Sequence, residues 1–177
     1  MKSKIKIAGH PIHPMLVGFP VAMYVAAMVC FIAYALGAES LWFRIGVYAN
    51  LAGVITAAVA AIPGFLDWML AIPAGTPAKS TGLAHMGFNV AALLVFALNV
   101  ILQWPHRLEL LPPVGLSIAL TVLGAVLTTA AGFLGWKLVQ THHVGVDLTA
   151  EQERYEPRPH VEHGGQPTTT GHGVTRS

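Results

Sequence analysis

Reading the chain for charge against apolarity divides it at once, because four stretches contain no Asp, Glu, Lys or Arg: Ile7 to Ala38, Ile45 to Leu66, Ser80 to His106 and Leu110 to Trp136. They are 32, 22, 27 and 27 residues long. Each exceeds the roughly 20 residues that cross about 30 Å of hydrocarbon at 1.5 Å per residue. None alternates apolar with polar positions, and lipid accepts only helices or closed barrels, so the pattern predicts helices. The expected fold is an all-α membrane protein, a four-transmembrane-helix up-down bundle with spans at about 14–37, 45–67, 83–104 and 113–137. The expected organisation is a membrane domain over 1–147 and a disordered, His-containing tail over 148–177. In that tail Glu151, Glu153 and Glu156 give way to Pro, Gly, Thr and His, leaving too little apolar surface to offset ordering entropy. Its His160, His163 and His172 read as sparse tail residues.

Composition sharpens this picture. Hydrophobic residues make up 54% and charged ones 10% of the 177, against roughly 25% charged in soluble domains. A formal net charge of +2 supplies no field for a phosphate backbone, so nucleic acid is excluded as a partner. Cys30 is the only cysteine and cannot pair within the chain. Lys2, Lys4 and Lys6 before an apolar run, with Ala33-Tyr34-Ala35 after it, imitate a secretory signal. The run is much longer than the roughly 7–15 residues of a signal core, and Pro14 and Pro20 interrupt it, so a retained span is expected.

Four spans put both termini and the second loop on one side, together with Lys2, Lys4, Lys6, Lys79 and Lys137, while the other side has Arg44 and Arg107. The imbalance predicts cytoplasmic termini in a bacterial inner membrane. Trp42, Trp68, Trp104 and Trp136 all fall at predicted span ends, where the headgroup region favours amphipathic rings. Small residues spaced by four, Ala49, Gly53, Ala57 and Ala61, then Gly124, Thr128 and Gly132, mark expected interior faces. Pro20 and Pro63 predict kinks.

Polar side chains near a bilayer are costly, which makes them functional candidates. His10 and His13 enter the first span, Asp67 leaves the second, His85 enters the third, and His142 and His143 follow the fourth. The up-down order brings all of them to the terminus-bearing face. In HPIHP both histidines precede proline and are expected to be extended, which separates them by about 9 Å in a polyproline segment. One of the two at most can then ligate a given ion, and His13 is the nearer to the membrane. Asn89, four residues after His85, shares its helix face and is expected to orient the imidazole.

The stretches HPIHPMLVGFPVAMY, GFLDW, HMGFN and GWKLVQTHHVGV resemble a bacterial family of predicted four-helix membrane proteins classed as domain of unknown function 2231, over about residues 9 to 147. The resemblance implies His10, His13, Asp67, His85, Asn89 and His143 as the family's polar signature. Trp136 stands where relatives often have Gly, and the His142-His143 pair leaves the reactive position there open. Some relatives are fused to an iron–sulfur domain of Rieske type, which implies a redox protein as partner.

Three functions compete. In the first, His85 with His13 or His143 ligates a b-type haem for electron transfer, Asn89 orients an imidazole, and Lys79 or Lys137 meets the propionates. The membrane-edge placement of the histidines and the lack of a CxxCH motif count against it. In the second, His10, His13, Asp67, His85 and His143 supply a divalent-metal site. In the third, the chain is a non-catalytic assembly or anchoring subunit, with a second copy of itself as a further partner to consider. A permease is disfavoured because no charge lies at mid-membrane. No hydrolase motif is present, so a stand-alone enzyme is not expected.

Overall fold

The computed structural model describes residues 3–37, 39–146, 149, 151 and 154. The chain divides into two units, Met1–Asp147 and Leu148–Ser177, and the description concerns the first. The expected tail disorder and its histidines at 160, 163 and 172 lie outside the described residues.

An antiparallel hairpin of β1 (Lys6–Ile7) and β2 (His10–Pro11) opens the chain. Ala8 and Gly9 turn it, both at positive φ. The helices α1 (Ile12–Leu16) and α2 (Gly18–Ala35) then form the first span, followed by α3 (Ser40–Ala71), α4 (Pro77–Gln103) and α5 (Gly115–Gln140). The fold is the expected four-helix membrane bundle. All four spans are long and apolar enough to cross a bilayer, and large side chains such as Leu94, Ile101, Val126 and Phe133 are more than 60% exposed, as a lipid-facing surface requires. Packing closes a ring in which α2 lies on α3, α3 on α4, α4 on α5 and α5 on α2.

His13 departs from the expected extended conformation, since it sits in the first turn of α1. The hairpin reverses the chain before it, and Pro14 falls in that first turn, where a missing N–H costs no helical hydrogen bond. A one-residue turn at Val17, itself at helical φ −63° and ψ −22°, separates α1 from α2. Three residues later Pro20 has no N–H for the Leu16 carbonyl. Pro63, by contrast, lies inside α3 without ending it.

The small-residue stripes also turn out differently at their ends. Gly53 and Gly124 are buried, but Ala61 and Gly132 are exposed. The buried line passes instead through Gly46, Asn50, Gly53 and Ala60 in α3 and through Ser117, Thr121, Gly124 and Ala131 in α5. Every fourth residue drifts by about 40° around a helix of 3.6 residues per turn, so a strict period of four leaves the interior.

Ring-on-glycine contacts set the register. A Cβ on Gly53 would meet the Tyr24 ring at 2.5 Å, and one on Gly124 the Phe96 ring at 2.5 Å. These two rings stack on each other with centroids 3.5 Å apart and planes 5° from parallel. Tyr24 and Phe96 are 72 positions apart (24 to 96), Gly53 and Gly124 are 71 apart (53 to 124). The first helix pair and the second therefore repeat one packing unit and meet through their equivalent rings.

Candidate functional site

One layer of the same repeat contains imidazoles. Eleven residues before Tyr24 is His13, and eleven before Phe96 is His85. Each ring lies against a glycine on the partner helix. A Cβ on Gly64 would meet His13 Nδ1 at 2.7 Å, and one on Gly135 would meet His85 Cε1 at 3.0 Å. Each histidine bonds through Nδ1 to the carbonyl four residues before that glycine, His13 to Ala60 at 2.8 Å and His85 to Ala131 at 2.7 Å. A carbonyl can only accept, so each Nδ1 must carry the proton, and each Nε2 of the neutral ring is left with a lone pair. The ring centroids are 6.3 Å apart and the planes 88° to each other.

Pro63 cannot donate to the Val59 carbonyl. The carbonyl that His13 uses is the next one, Ala60, beside this gap in the donor ladder of α3. The position of His13 also depends on the N-terminal segment. Asp67 accepts hydrogen bonds from Ser3 Oγ (2.6 Å), Lys4 N (2.7 Å) and Ile5 N (3.1 Å), and the Ile5 carbonyl accepts from Ile12 N at 3.1 Å. The carboxylate thus ties the segment before β1 to the last turns of α3 and, one residue beyond Ile12, holds His13 in place.

The remaining candidates cluster at this end of the bundle in other roles. His10 is exposed and bonds through Nδ1 to the Ala8 carbonyl inside the hairpin. Lys79 donates its ammonium to the carbonyls of Trp68 (2.5 Å) and Ile72 (3.2 Å), closing the C-terminus of α3, and lies 4.0 Å from the Trp68 ring centre. Lys137 is exposed in the last turn of α5. His142 Nε2 pairs with Thr81 Oγ1 at 3.4 Å. His143 sits half-buried at φ 53° in the turn after α5. Asn89 donates Nδ2 to the His85 carbonyl at 2.8 Å and faces His85 Nε2 at 3.2 Å. It therefore touches the nitrogen that would ligate, while Ala131 does the orienting. Among the described residues, no three His, Cys, Asp or Glu side chains form a group able to hold a metal ion.

Sequence reasoning did not single out Gly64, Gly135 or the carbonyls of Ala60 and Ala131. The available signal was the 72-residue spacing of His13 and His85, repeated by Tyr24 and Phe96.

Comparison with curated proteins and with solved structures gives no match. A family model described as "Predicted membrane protein (DUF2231)" matches residues 9–148, a range that holds every helix of the bundle and both imidazoles. On this match, the chain belongs to the DUF2231 family of predicted membrane proteins.

Proposed function

We propose that this membrane protein is a redox-associated subunit whose His13 and His85 hold a b-type haem and pass electrons to a partner redox protein. One observation carries the reading: the two imidazoles, on different spans, each have Nδ1 bound by a main-chain carbonyl, which leaves Nε2 as the nitrogen to ligate, approached in His85 by the Asn89 amide at 3.2 Å. This is how ligating histidines are oriented in metalloproteins. The two ring centroids lie 6.3 Å apart, so His13 and His85 are the pair of side chains that would hold the group between the two helix pairs.

The donor set favours haem over a simple divalent ion. A haem brings most of its own ligands and would ask the protein for only His13 and His85. A bare ion asks for three or four, and Asp67, the carboxylate proposed for it, already accepts three hydrogen bonds. When bound, the haem would supply one-electron chemistry. The chain's own residues would fix the tautomer through Ala60 and Ala131 and seat the rings on Gly64 and Gly135. The orientation belongs to the same proposal: Lys4, Lys6, Lys79 and Lys137 lie at the imidazole end and Arg44 and Arg107 at the other, which supports cytoplasmic termini in a bacterial inner membrane.

The test is a visible spectrum of detergent-purified protein expressed with haem precursor, oxidised and reduced. A Soret band present in the parent and lost in His13→Ala and in His85→Ala is expected. A well-folded parent that neither shows the band nor acquires it with added haem would end the proposal.

A further inference from the structure

The line of α4 that faces the bundle interior is interrupted at one level. Gly82, Asn89, Phe96 and Gln103 are spaced by seven, and seven residues fall only about 20° short of two turns, so the four share a face. Gly82, Phe96 and Gln103 are buried, whereas Asn89 is exposed. The facing side of α3 explains the gap. Trp68 lies on Gly82 at one end, and Asn50 donates Nδ2 to the Phe96 carbonyl at 3.3 Å at the other, so the two helices are held together on either side of Asn89. Between these contacts the same face of α3 carries Ala57, seven after Asn50, and Ala61, seven before Trp68. An alanine methyl does not reach far enough to cover Asn89, and Ala61 is itself exposed. The opening lies twelve residues (77 to 89), about 18 Å, along α4, inside the span, where a polar side chain facing lipid is costly.

Behind the opening is the His85 ring. Asn89 donates to the His85 carbonyl at 2.8 Å and stands 3.2 Å from His85 Nε2, so an exposed amide is what lies between this nitrogen and the bilayer. The end toward the termini is covered instead. Ser3 is buried and bonds Asp67 together with the amides of Lys4 and Ile5. A Cβ on Gly145 would meet Pro11 at 3.9 Å, and His142 reaches Thr81 at 3.4 Å. Ile72, Ala78 and Leu138 form a buried cluster there, with Trp68 and Val144 packed on it. We infer that His85 Nε2 is reached sideways from the bilayer, between α3 and α4 and past Asn89, by a flat molecule dissolved in the membrane, and not by a solute from the water at the terminus-bearing end. The lining selects that class. The methyls of Ala57 and Ala61 admit an apolar body, and Asn89 can give up Nε2 to it while keeping its bond to the His85 carbonyl. The inference deepens the haem reading and rests on it for the identity of the molecule; the opening itself does not depend on it.

A lipophilic aryl diazirine dissolved in lipid nanodiscs around the full chain tests the opening without any haem, because the carbene made by light inserts into side chains that membrane-dissolved molecules reach. Peptide mass mapping should find adducts on His85 and on the lipid-facing Leu94, and several-fold fewer on Phe96, which is fully buried on the same line of α4 as Asn89. Ala61→Phe should close the opening, removing the His85 adduct and leaving that on Leu94. A parent without a His85 adduct would overturn the inference, and this comparison requires no variant to fold; a His85 adduct that persists in folded Ala61→Phe would overturn it as well. Haem offered from vesicles should enter Ala61→Phe several-fold more slowly than the parent, and Asp67→Ala, which loosens the covered end, no faster than the parent. A parental rate in Ala61→Phe or a faster one in Asp67→Ala would sink the sideways route. A parent labelled at His85 that takes up no haem would end the haem reading and uphold the opening.

Discussion

The first helix pair, α1/α2 with α3, and the second, α4 with α5, place a histidine and an aromatic ring on two glycines in matching positions, yet they differ nearly everywhere else. The first has Pro63 and Asp67 where the second has Leu134 and Leu138, and it is tied down by the N-terminal segment Ser3–Ile5. The second carries Asn89 beside its imidazole and a polar far half of Asn99, Gln103, Ser117 and Thr121, where the first has Ala27, Phe31, Gly46 and Asn50. What the pairs share is what close packing demands, a ring on each absent side chain. In lipid, helices associate through such contact and not through hydrophobicity. What they do not share is the polar chemistry around that frame, so the frame places the candidate site and the departures from symmetry distinguish its two sides.

The largest effect expected is on cofactor binding. If the two imidazoles are equivalent ligands, His13→Ala and His85→Ala should each remove nearly all stoichiometric haem, since each opens a coordination position. Titrating haem into the two purified variants and reading the Soret band checks this. A variant that keeps full affinity would show that the two halves are alike in packing but not in function.

Next come the glycines beneath the stacked rings. Gly53→Ala and Gly124→Ala push a methyl against Tyr24 and Phe96, which press on each other and cannot both retreat. Overpacking of this kind costs about 1–3 kcal/mol. Gly132→Ala has open space around it and should be neutral or stabilising by up to about 1 kcal/mol, the helix-propensity gain. Unfolding in detergent distinguishes them, and similar stability for all three would break the register on which the repeat rests.

A smaller effect is expected where only the first pair is anchored. Asp67→Ala removes the acceptor for Ser3, Lys4 and Ile5. Hydrogen bonds to a charged group contribute about 1.5–3 kcal/mol each when well buried, and these are partly exposed, so the total should be near the lower figure. Amide hydrogen exchange should rise at Lys4 and Ile5 and leave α4 and α5 unchanged. Asp67→Asn keeps one acceptor oxygen and should retain the Soret band, as a divalent-ion site would not retain its metal.

The four spans were legible because a charge-free run of more than twenty residues has few other physical meanings. Their ends were less so. The helix α3 continues through Asp67 to Ala71, and α4 begins at Pro77, well before the expected start at about 83. Hydrocarbon thickness limits the apolar run, but a helix continues into the headgroup region while its backbone bonds hold. The histidines were legible as a set, because ionisable side chains are few in such a chain. Their partners were not. Ala60 and Ala131 act through main-chain carbonyls, which carry no residue-type signature, and Asp67 bonds backbone N–H groups that any sequence would offer. The visible repeat of GFLDW and GFLGW even misleads, since it aligns Gly64 with Gly132, whereas contact with the imidazoles pairs Gly64 with Gly135, nearly one turn on.

The smallest effects expected concern side chains that touch the symmetric frame from outside. Asn89 has no counterpart in the first pair, where Val17 stands 72 positions earlier. Its amide donates toward His85 Nε2, so it occupies the lone pair a metal would use and would compete with a cofactor held there. Asn89→Ala should therefore leave haem affinity unchanged or raise it a few-fold, within what one neutral hydrogen bond of about 0.5–1.5 kcal/mol allows. A loss of about 10–100-fold, the usual effect of removing a group that orients a ligand, would mean that Asn89 swings to support the ring and that the two halves hold their imidazoles differently. His106→Ala is the matched control. Among the described residues its ring bonds Glu109 alone, at the far end, at 2.8 Å and with both side chains exposed, so the substitution should change neither the spectrum nor, beyond a few tenths of a kcal/mol, the stability.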